Sequence, residues 1–279
     1  MTSPCDIYAV VGNPIAHSKS PEIHRGFAQQ TGQDMVYEKM LAPLDGFEAC
    51  VRDFFSAGGK GLNVTVPFKT RAYEMAGQLS PRAQSAGAVN TLWQQQGQLY
   101  GDNTDGAGLV RDLTHNLGLS LRGKKILILG AGGAVRGVLL PLLEQQPQSI
   151  TIANRTLEKA QALLSVVPSH GVTQVEARTL QDLPSGNDVI IQATSAGLQG
   201  SAPEVPGRCY GPNTWAYDML YAATPTPFLG AARQHTEHCA DGLGMLVEQA
   251  AEAFYLWRGV RPHTDPVIAQ LRQQMWAQT

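Results

Sequence analysis

The run Lys124-Lys125-Ile126-Leu127-Ile128-Leu129-Gly130-Ala131-Gly132-Gly133-Ala134-Val135 decides the reading of this chain. Four consecutive apolar residues followed by glycines predict a strand buried on both faces, and Val138-Leu139-Leu140 with Leu142-Leu143 predict the helix after it. Gly130 suits the tight turn, and Gly132 lets backbone approach a pyrophosphate. The helix start adds N–H groups and the positive end of a dipole. Val135 stands where the dinucleotide fingerprint has its third glycine, but the strand before and the helix after are both in place.

Outward from that run, Ser149 to Ala153 predicts a second strand, Thr156 to Val166 a helix, and Asp188 to Gln192 a third strand. Strand–helix–strand alternation implies right-handed crossovers and a parallel, Rossmann-like sheet. The first hundred residues carry an α/β pattern of their own. Tyr8 to Val11 reads as a strand ended by Gly12-Asn13-Pro14, and Ser20-Pro21-Glu22 as a helix start with Ser20 as N-cap and Gly32 as stop. Leu62-Asn63-Val64-Thr65-Val66 alternates, which puts Asn63 and Thr65 on one face, and Pro67 starts a helix through Met75. Residues 89–93 and 98–100 around Gln95-Gln96-Gly97 predict a hairpin. Leu243, Leu246, Val247, Ala250, Phe254 and Trp257 make a helical stripe that returns to the first domain. The expected architecture is two α/β domains flanking a cleft: 1–105 plus 242–279 for substrate, and 106–241 for a dinucleotide.

Composition bounds the function. Of 279 residues, 43% are apolar and 16% charged, which is globular. A net charge of −2 with no basic run argues against nucleic acid as a partner. No stretch approaches the about 18 uninterrupted apolar residues of a membrane span. The first residues, Met1-Thr2-Ser3-Pro4-Cys5-Asp6, lack the order of a secretory leader, and Cys5, Cys50, Cys209 and Cys239 form no C-x-x-C pair. The expected address is the cytoplasm, with reduced thiols. Nothing distinguishes a monomer from a homodimer.

Four groups of residues bear on chemistry. The predicted second strand ends in Asn154-Arg155-Thr156, with Lys159 one turn on and no carboxylate for a ribose 2′-hydroxyl. A guanidinium there suits a 2′-phosphate, so the expected cofactor is NADP(H) rather than NAD(H). Lys69 sits in a first helical turn, where acids are preferred; the dipole there would lower its pKa and fit it for proton transfer. Gly101-Asp102-Asn103-Thr104-Asp105-Gly106 fails as a calcium loop, because alignment puts Gly101 at the first ligand position. It reads instead as a turn in which Asp105 caps the next helix. His235, His238 and Cys239 match no zinc spacing, and no metal is expected.

With these residues assembled, the chain resembles the NADP-dependent biosynthetic shikimate dehydrogenases nearly end to end. The marks are Gly12-Asn13-Pro14-Ile15, His17 to Pro21, Gly61 to Lys69, Gly87-Ala88-Val89-Asn90-Thr91, Gly101 to Gly106, Gly130 to Ala134, Asn154-Arg155-Thr156, Tyr217-Asp218-Met219 and Asp241 to Met245. The resemblance implies reversible reduction of 3-dehydroshikimate to shikimate with NADPH. It implies Lys69 and Asp105 as the catalytic pair, and Ser18, Ser20, Thr65, Asn90, Tyr221 and Gln249 as the rest of the substrate site. For the cofactor it implies Gly130, Ala131, Gly132, Gly133, Ala134, Asn154, Arg155, Thr156, Lys159, Met219 and Gly242. Three positions depart from the family pattern: Val135 is bulky, Gln192 replaces an Asn, and Pro81 replaces an acid. All three are expected to touch only the cofactor half. Two rivals share the fold: a quinate/shikimate dehydrogenase with relaxed cofactor use, and a non-catalytic NADPH-binding sensor.

Overall fold

Both halves of the chain build a six-stranded sheet, as seen in a computed structural model that describes residues 5–168, 171–194, 196 and 200–277. The first sheet contains β1 (Asp6–Gly12), β2 (Met35–Leu41), β3 (Gly61–Val64), β4 (Gln78–Leu79), β5 (Thr91–Gln95) and β6 (Gln98–Asp102). Its helices are α1 (Ser20–Thr31), α2 (Phe47–Ser56), α3 (Lys69–Met75) and α4 (Pro81–Ala86). The strand order is β2-β1-β3-β5-β6-β4, with β1 parallel to β2 and β3, and β5 antiparallel to β3 and β6. The hairpin turns on Gln96 (φ 52°) and Gly97 (φ 75°), the pair of positive φ values whose twist matches the flanking strands. Every residue of β3 is buried, so this strand lies at the centre of the sheet.

The second sheet is wholly parallel. After α5 (Asp105–Arg111) and a π-helical turn at Asp112–Asn116 come β7 (Lys125–Leu129), α6 (Gly133–Glu144), β8 (Ser149–Asn154), α7 (Leu157–Leu163), β9 (Gln174–Thr179) and β10 (Asn187–Gln192). They are followed by β11 (Tyr210–Asp218), α8 (Pro227–Ala232), β12 (Cys239–Asp241), α9 (Leu243–Arg258) and α10 (Asp265–Trp276). The order β12-β11-β10-β7-β8-β9 places β7 centrally, the doubly wound arrangement of dinucleotide-binding sheets. Along β7, Ile126 and Ile128 pack into one core and Leu127 and Leu129 into another, because a central parallel strand is buried on both faces. Val135 is fully buried against Ile126 and Ile128, so its extra bulk fills core.

Packing divides the chain into Met1–Gly108 with Val247–Val267 and Leu109–Leu246 with Ile268–Thr279. The tail from Ile268 onward, expected with the first domain, packs in the second unit. There the Arg272 guanidinium grips the Asp241 carboxylate with two contacts of 2.6 Å. Pro81, expected near the cofactor half, lies in the first unit. It follows the N-cap Ser80, whose Oγ accepts the Ala83 N–H, and a proline fits the first helical position. Among the described residues no helix is long and apolar enough to cross a membrane.

A buried ionic network ties β6 to α9 within the first unit. Arg82 donates to both oxygens of Asp102, at 2.8 and 2.7 Å, and to Glu252 at 2.9 Å, while Arg261 takes the other Glu252 oxygen. Burial would raise the Asp102 carboxyl, but Arg82, with Ser80 and the Asn103 N–H, holds it below its ordinary value. A depressed carboxylate contributes stability that is present above its unfolded value and lost as pH falls through the folded one. Arg82→Met leaves that carboxylate buried without its cation and should cost roughly 3–5 kcal/mol at pH 7. Denaturant unfolding at stepped pH checks this: the deficit relative to the parent should narrow as pH falls into and below the ordinary carboxylate range, where the unpaired Asp102 of the variant takes up a proton before the paired one of the parent.

Candidate active site

The site in the first unit is built where β3 ends. Phe68 is fully buried and stacks on Phe47 at 4.6 Å between centroids, which anchors the chain as α3 begins at Lys69. Lys69 Nζ then reaches Asp105 Oδ2 at 2.6 Å, both side chains half-buried. Asp105 opens α5 without capping it. Its own N–H donates to Asn103 Oδ1 at 3.2 Å, and its carboxylate turns to Lys69 and to Asn90 Nδ2, at 2.9 Å. Asp105 is therefore the first helical residue and not the cap: Thr104 O accepts the Gly108 N–H at 2.9 Å.

Asn90 is the hub of this cluster. Its Oδ1 accepts the Thr104 N–H at 2.9 Å, which turns its Nδ2 toward Asp105, Thr104 Oγ1 at 3.0 Å and Gln249 Oε1 at 3.4 Å. An ammonium with three donors spends one on Asp105 and keeps others for a ligand oxygen. Such a pair can hold a hydroxyl and pass a proton to an oxygen that gains charge.

Ser18 and Ser20 form a second cluster. Their hydroxyl oxygens are 3.2 Å apart, and Ser18 Oγ accepts the Ser20 N–H at 3.3 Å. Ser20, expected as the cap of α1, is instead its first helical residue, preceded by Lys19 in helical conformation, so its hydroxyl is not consumed by the helix end. Thr65 is half-buried beside the motif glycine Gly12, where an added Cβ would stand 2.5 Å from the Thr65 methyl. The structure thus joins Lys69, Asp105, Asn90 and Gln249 by direct contacts, joins Ser18 to Ser20, and places Thr65 in the same unit. Tyr221 belongs to the second unit; burial and the Asp241 carboxylate raise its phenol. Thr104 and Asn103, unassigned by the sequence reading, are the residues that orient Asn90 and Asp105. Their place inside the Gly101 to Gly106 turn was the available signal.

In the second unit, Gly130 adopts φ 116° directly after β7, a conformation that favours glycine, and its N–H donates to Ala153 O. A Cβ on Gly132 or Gly133 would meet nothing within 4 Å, and no side chain caps α6. Ala131 is half-buried and Ala134 exposed at the same helix start. At the end of β8, Asn154 Nδ2 holds the Thr156 carbonyl at 2.8 Å. Arg155 and Lys159 are exposed, and among the described residues their side chains have no partner. An uncapped helix N-terminus, open space over two glycines and two unpaired cations fit a dinucleotide carrying an extra phosphate. Met219 and Gly242 touch: a Cβ on Gly242 would lie 2.3 Å from Met219 O. Gln192 folds onto its own loop, donating to Thr194 Oγ1 at 2.8 Å and accepting the Thr194 N–H. His235 stacks on Tyr210 and His238 on Trp215.

The chain matches the shikimate dehydrogenase substrate binding domain over residues 10–92, shikimate / quinate 5-dehydrogenase over 112–199, and the shikimate 5'-dehydrogenase C-terminal domain over 242–272. It is 57% identical over 269 residues to the shikimate dehydrogenase (NADP(+)) of Hahella chejuensis, covering 96% of this chain and 99% of that one. Among solved structures it is similar to an Ael1 enzyme from Pseudomonas putida, with TM-score 0.91, 48% identity and coverage of 95% and 98%. It is also similar to the shikimate 5-dehydrogenase from Thermus thermophilus in complex with NADP(H) and shikimate, with TM-score 0.83, 32% identity and coverage of 96% and 99%.

Gly108 controls the approach of Gln249 to this cluster. An added Cβ would stand 2.7 Å from the Gln249 backbone nitrogen, which cannot move without α9. Gly108→Ala should cost about 1–3 kcal/mol in denaturant unfolding. Gly133→Ala, facing open space, should stay within about 0.5 kcal/mol of the parent.

Proposed function

The chain belongs to the shikimate dehydrogenase family, as an NADP-dependent oxidoreductase that interconverts 3-dehydroshikimate and shikimate, and from that premise we propose how its residues divide the reaction. The observation that carries the proposal is the 2.6 Å contact between Lys69 and Asp105, held in one network with Asn90. Bound to the second unit, NADPH supplies the hydride to the ketone carbon. Lys69 Nζ donates the proton that turns the developing alkoxide into a hydroxyl, and takes it back in the reverse direction. Asp105 keeps the ammonium in place and accepts a hydrogen bond from a ring hydroxyl. Asn90, with a donor and an acceptor on one side chain, and Gln249 read the remaining ring hydroxyls.

Ser18 and Ser20 hold the substrate carboxylate through hydroxyl donors, which the freedom of Ser20 from capping supports, and Thr65 joins Asn90 at the ring hydroxyls. Tyr221 completes the substrate contacts. The backbone of Gly130, Ala131, Gly132, Gly133 and Ala134 holds the pyrophosphate. Arg155 and Lys159, with Asn154 and Thr156 shaping their turn, hold the 2′-phosphate, while Met219 and Gly242 line the nicotinamide end. Lys69 and Asp105 are both present, against a non-catalytic role. Free thiols at Cys5, Cys50, Cys209 and Cys239 support a cytoplasmic address, with the chain working as a monomer or homodimer on a small-molecule substrate.

Arg155→Ala separates the two nicotinamide cofactors. Loss of a charge-assisted contact should weaken NADPH about 10- to 150-fold and leave NADH nearly unchanged. Fluorescence titration of both reduced cofactors measures this, and an equal loss for both would remove Arg155 from the phosphate site.

Lys69→Met keeps the apolar stem without the amine. Shikimate oxidation with NADP⁺ should lose roughly 10²–10⁴-fold in kcat, with cofactor affinity retained. A kcat within a few-fold of the parent, with only KM raised, would make Lys69 a binding residue. Quinate assayed in parallel tells the biosynthetic reading from the catabolic one.

A further inference from the structure

The orientation of the Asn90 amide follows from one backbone N–H, and its consequences run far from the site. Thr104 N–H can only donate, so the atom it meets at 2.9 Å is the Asn90 oxygen. Thr91 Oγ1 lies 2.9 Å from that same oxygen and must donate to it. Its lone pairs then accept from Asn63 Nδ2 at 3.2 Å. Independently, Asn63 Nδ2 lies 3.2 Å from the Asn90 carbonyl, which can only accept, so the Asn63 amide is oriented the same way. Asn63 Oδ1 consequently faces the Tyr37 hydroxyl, which donates at 2.7 Å. The result is a chain of donors with one direction: Tyr37 to Asn63, Asn63 to Thr91, Thr91 to Asn90, Asn90 to Asp105, with Lys69 closing on the other carboxylate oxygen.

Tyr37 also meets the opposite end of the site, because the Ser20 hydroxyl lies against its phenol. Its ring is clamped by His24, stacked at 4.2 Å and 5° and held neutral by burial, which pushes its pKa down to about 3. Burial likewise pushes the Tyr37 phenol well above its ordinary value, so it remains a donor. Thr91 is fully buried and Asn63 is 6% exposed, which keeps water from replacing either link.

We propose that Tyr37 is a positioning residue for this reaction, its hydroxyl acting through Asn63 and Thr91 to fix the Asn90 amide and thereby the Asp105 carboxylate against Lys69. This rests on the roles proposed above for Asn90, Asp105 and Lys69. Donor chains of this kind strengthen one another, so each link holds the next more rigidly than an isolated pair does.

The test uses Tyr37→Phe, which keeps the ring in its stack, and Thr91→Val, which keeps the shape of the threonine. Each should lower kcat for shikimate oxidation about three- to tenfold, the effect of one lost hydrogen bond, while NADP⁺ affinity holds; each variant stays folded but melts lower, because a buried partner is left unpaired. Thr91→Ser should restore the rate. The double variant should fall no further than the worse single one, because both break one chain; losses from independent structural damage multiply instead. Multiplying losses, no rescue by Thr91→Ser, or a Tyr37→Phe enzyme within twofold of the parent would each overturn the inference. Asp105→Asn, run alongside, separates the premises. If it loses activity while Tyr37→Phe does not, the site stands and the chain to Tyr37 falls; if Asp105→Asn is fully active, the site reading itself falls.

Discussion

Asn90 accepting the Thr104 N–H is the contact on which the first unit's chemistry depends. A buried backbone donor must be satisfied, and here a side-chain amide does it, so the amide loses its freedom to flip. With its oxygen committed, its nitrogen has to face Asp105, and the carboxylate in turn draws Lys69 to 2.6 Å. Both partners of that ion pair are only half-buried, and a pair that water still reaches fixes its own geometry weakly. Its geometry is therefore imposed by the buried network around it.

That network needs close approach between separate segments. Gly12 admits the Thr65 methyl, and Gly108 admits the backbone of α9 at Gln249. The neighbouring Arg82–Asp102–Glu252 network ties the end of β6, three residues before Asp105, to the same helix that carries Gln249. A buried ionic network is an expensive way to gain stability compared with apolar packing. What it adds here is register: β6 and α9 have one relative position that satisfies all its donors.

The β7–α6 unit was legible because its signals are local. An unbroken apolar run, three glycines and the start of a helix lie within a dozen residues, and the exposed Arg155 directly follows the very next strand. By contrast β2 is illegible in the sequence, since Met35-Val36-Tyr37-Glu38-Lys39-Met40-Leu41 does not alternate apolar with polar residues. Tyr37 could not be found from that stretch at all, because its partner Asn63 lies 26 positions away and meets it only across the sheet. The π-helical turn and the packing of α10 onto Asp241 are likewise products of tertiary contact, and no periodicity announces them.

The two misread caps carry the most information. Ser20 and Asp105 both have ideal cap chemistry at true helix starts, and local rules assign both hydrogen bonds to the helix end. In the folded chain Ser18 meets the Ser20 N–H, and Asn103 meets the Asp105 N–H. Each residue is itself the first of its helix, so neither side chain is spent on the helix end. Local rules are expected to fail where a side chain is needed for something else. Both failures fall on residues assigned to substrate, one at each end of the donor network that Tyr37 joins. The side chains proposed for the substrate come from six distant segments, around 18–20, 65–69, 90, 105, 221 and 249, so spacing alone could not assemble them. The resemblance to a family collected them, and the released caps supply the physical reason that they are available to bind.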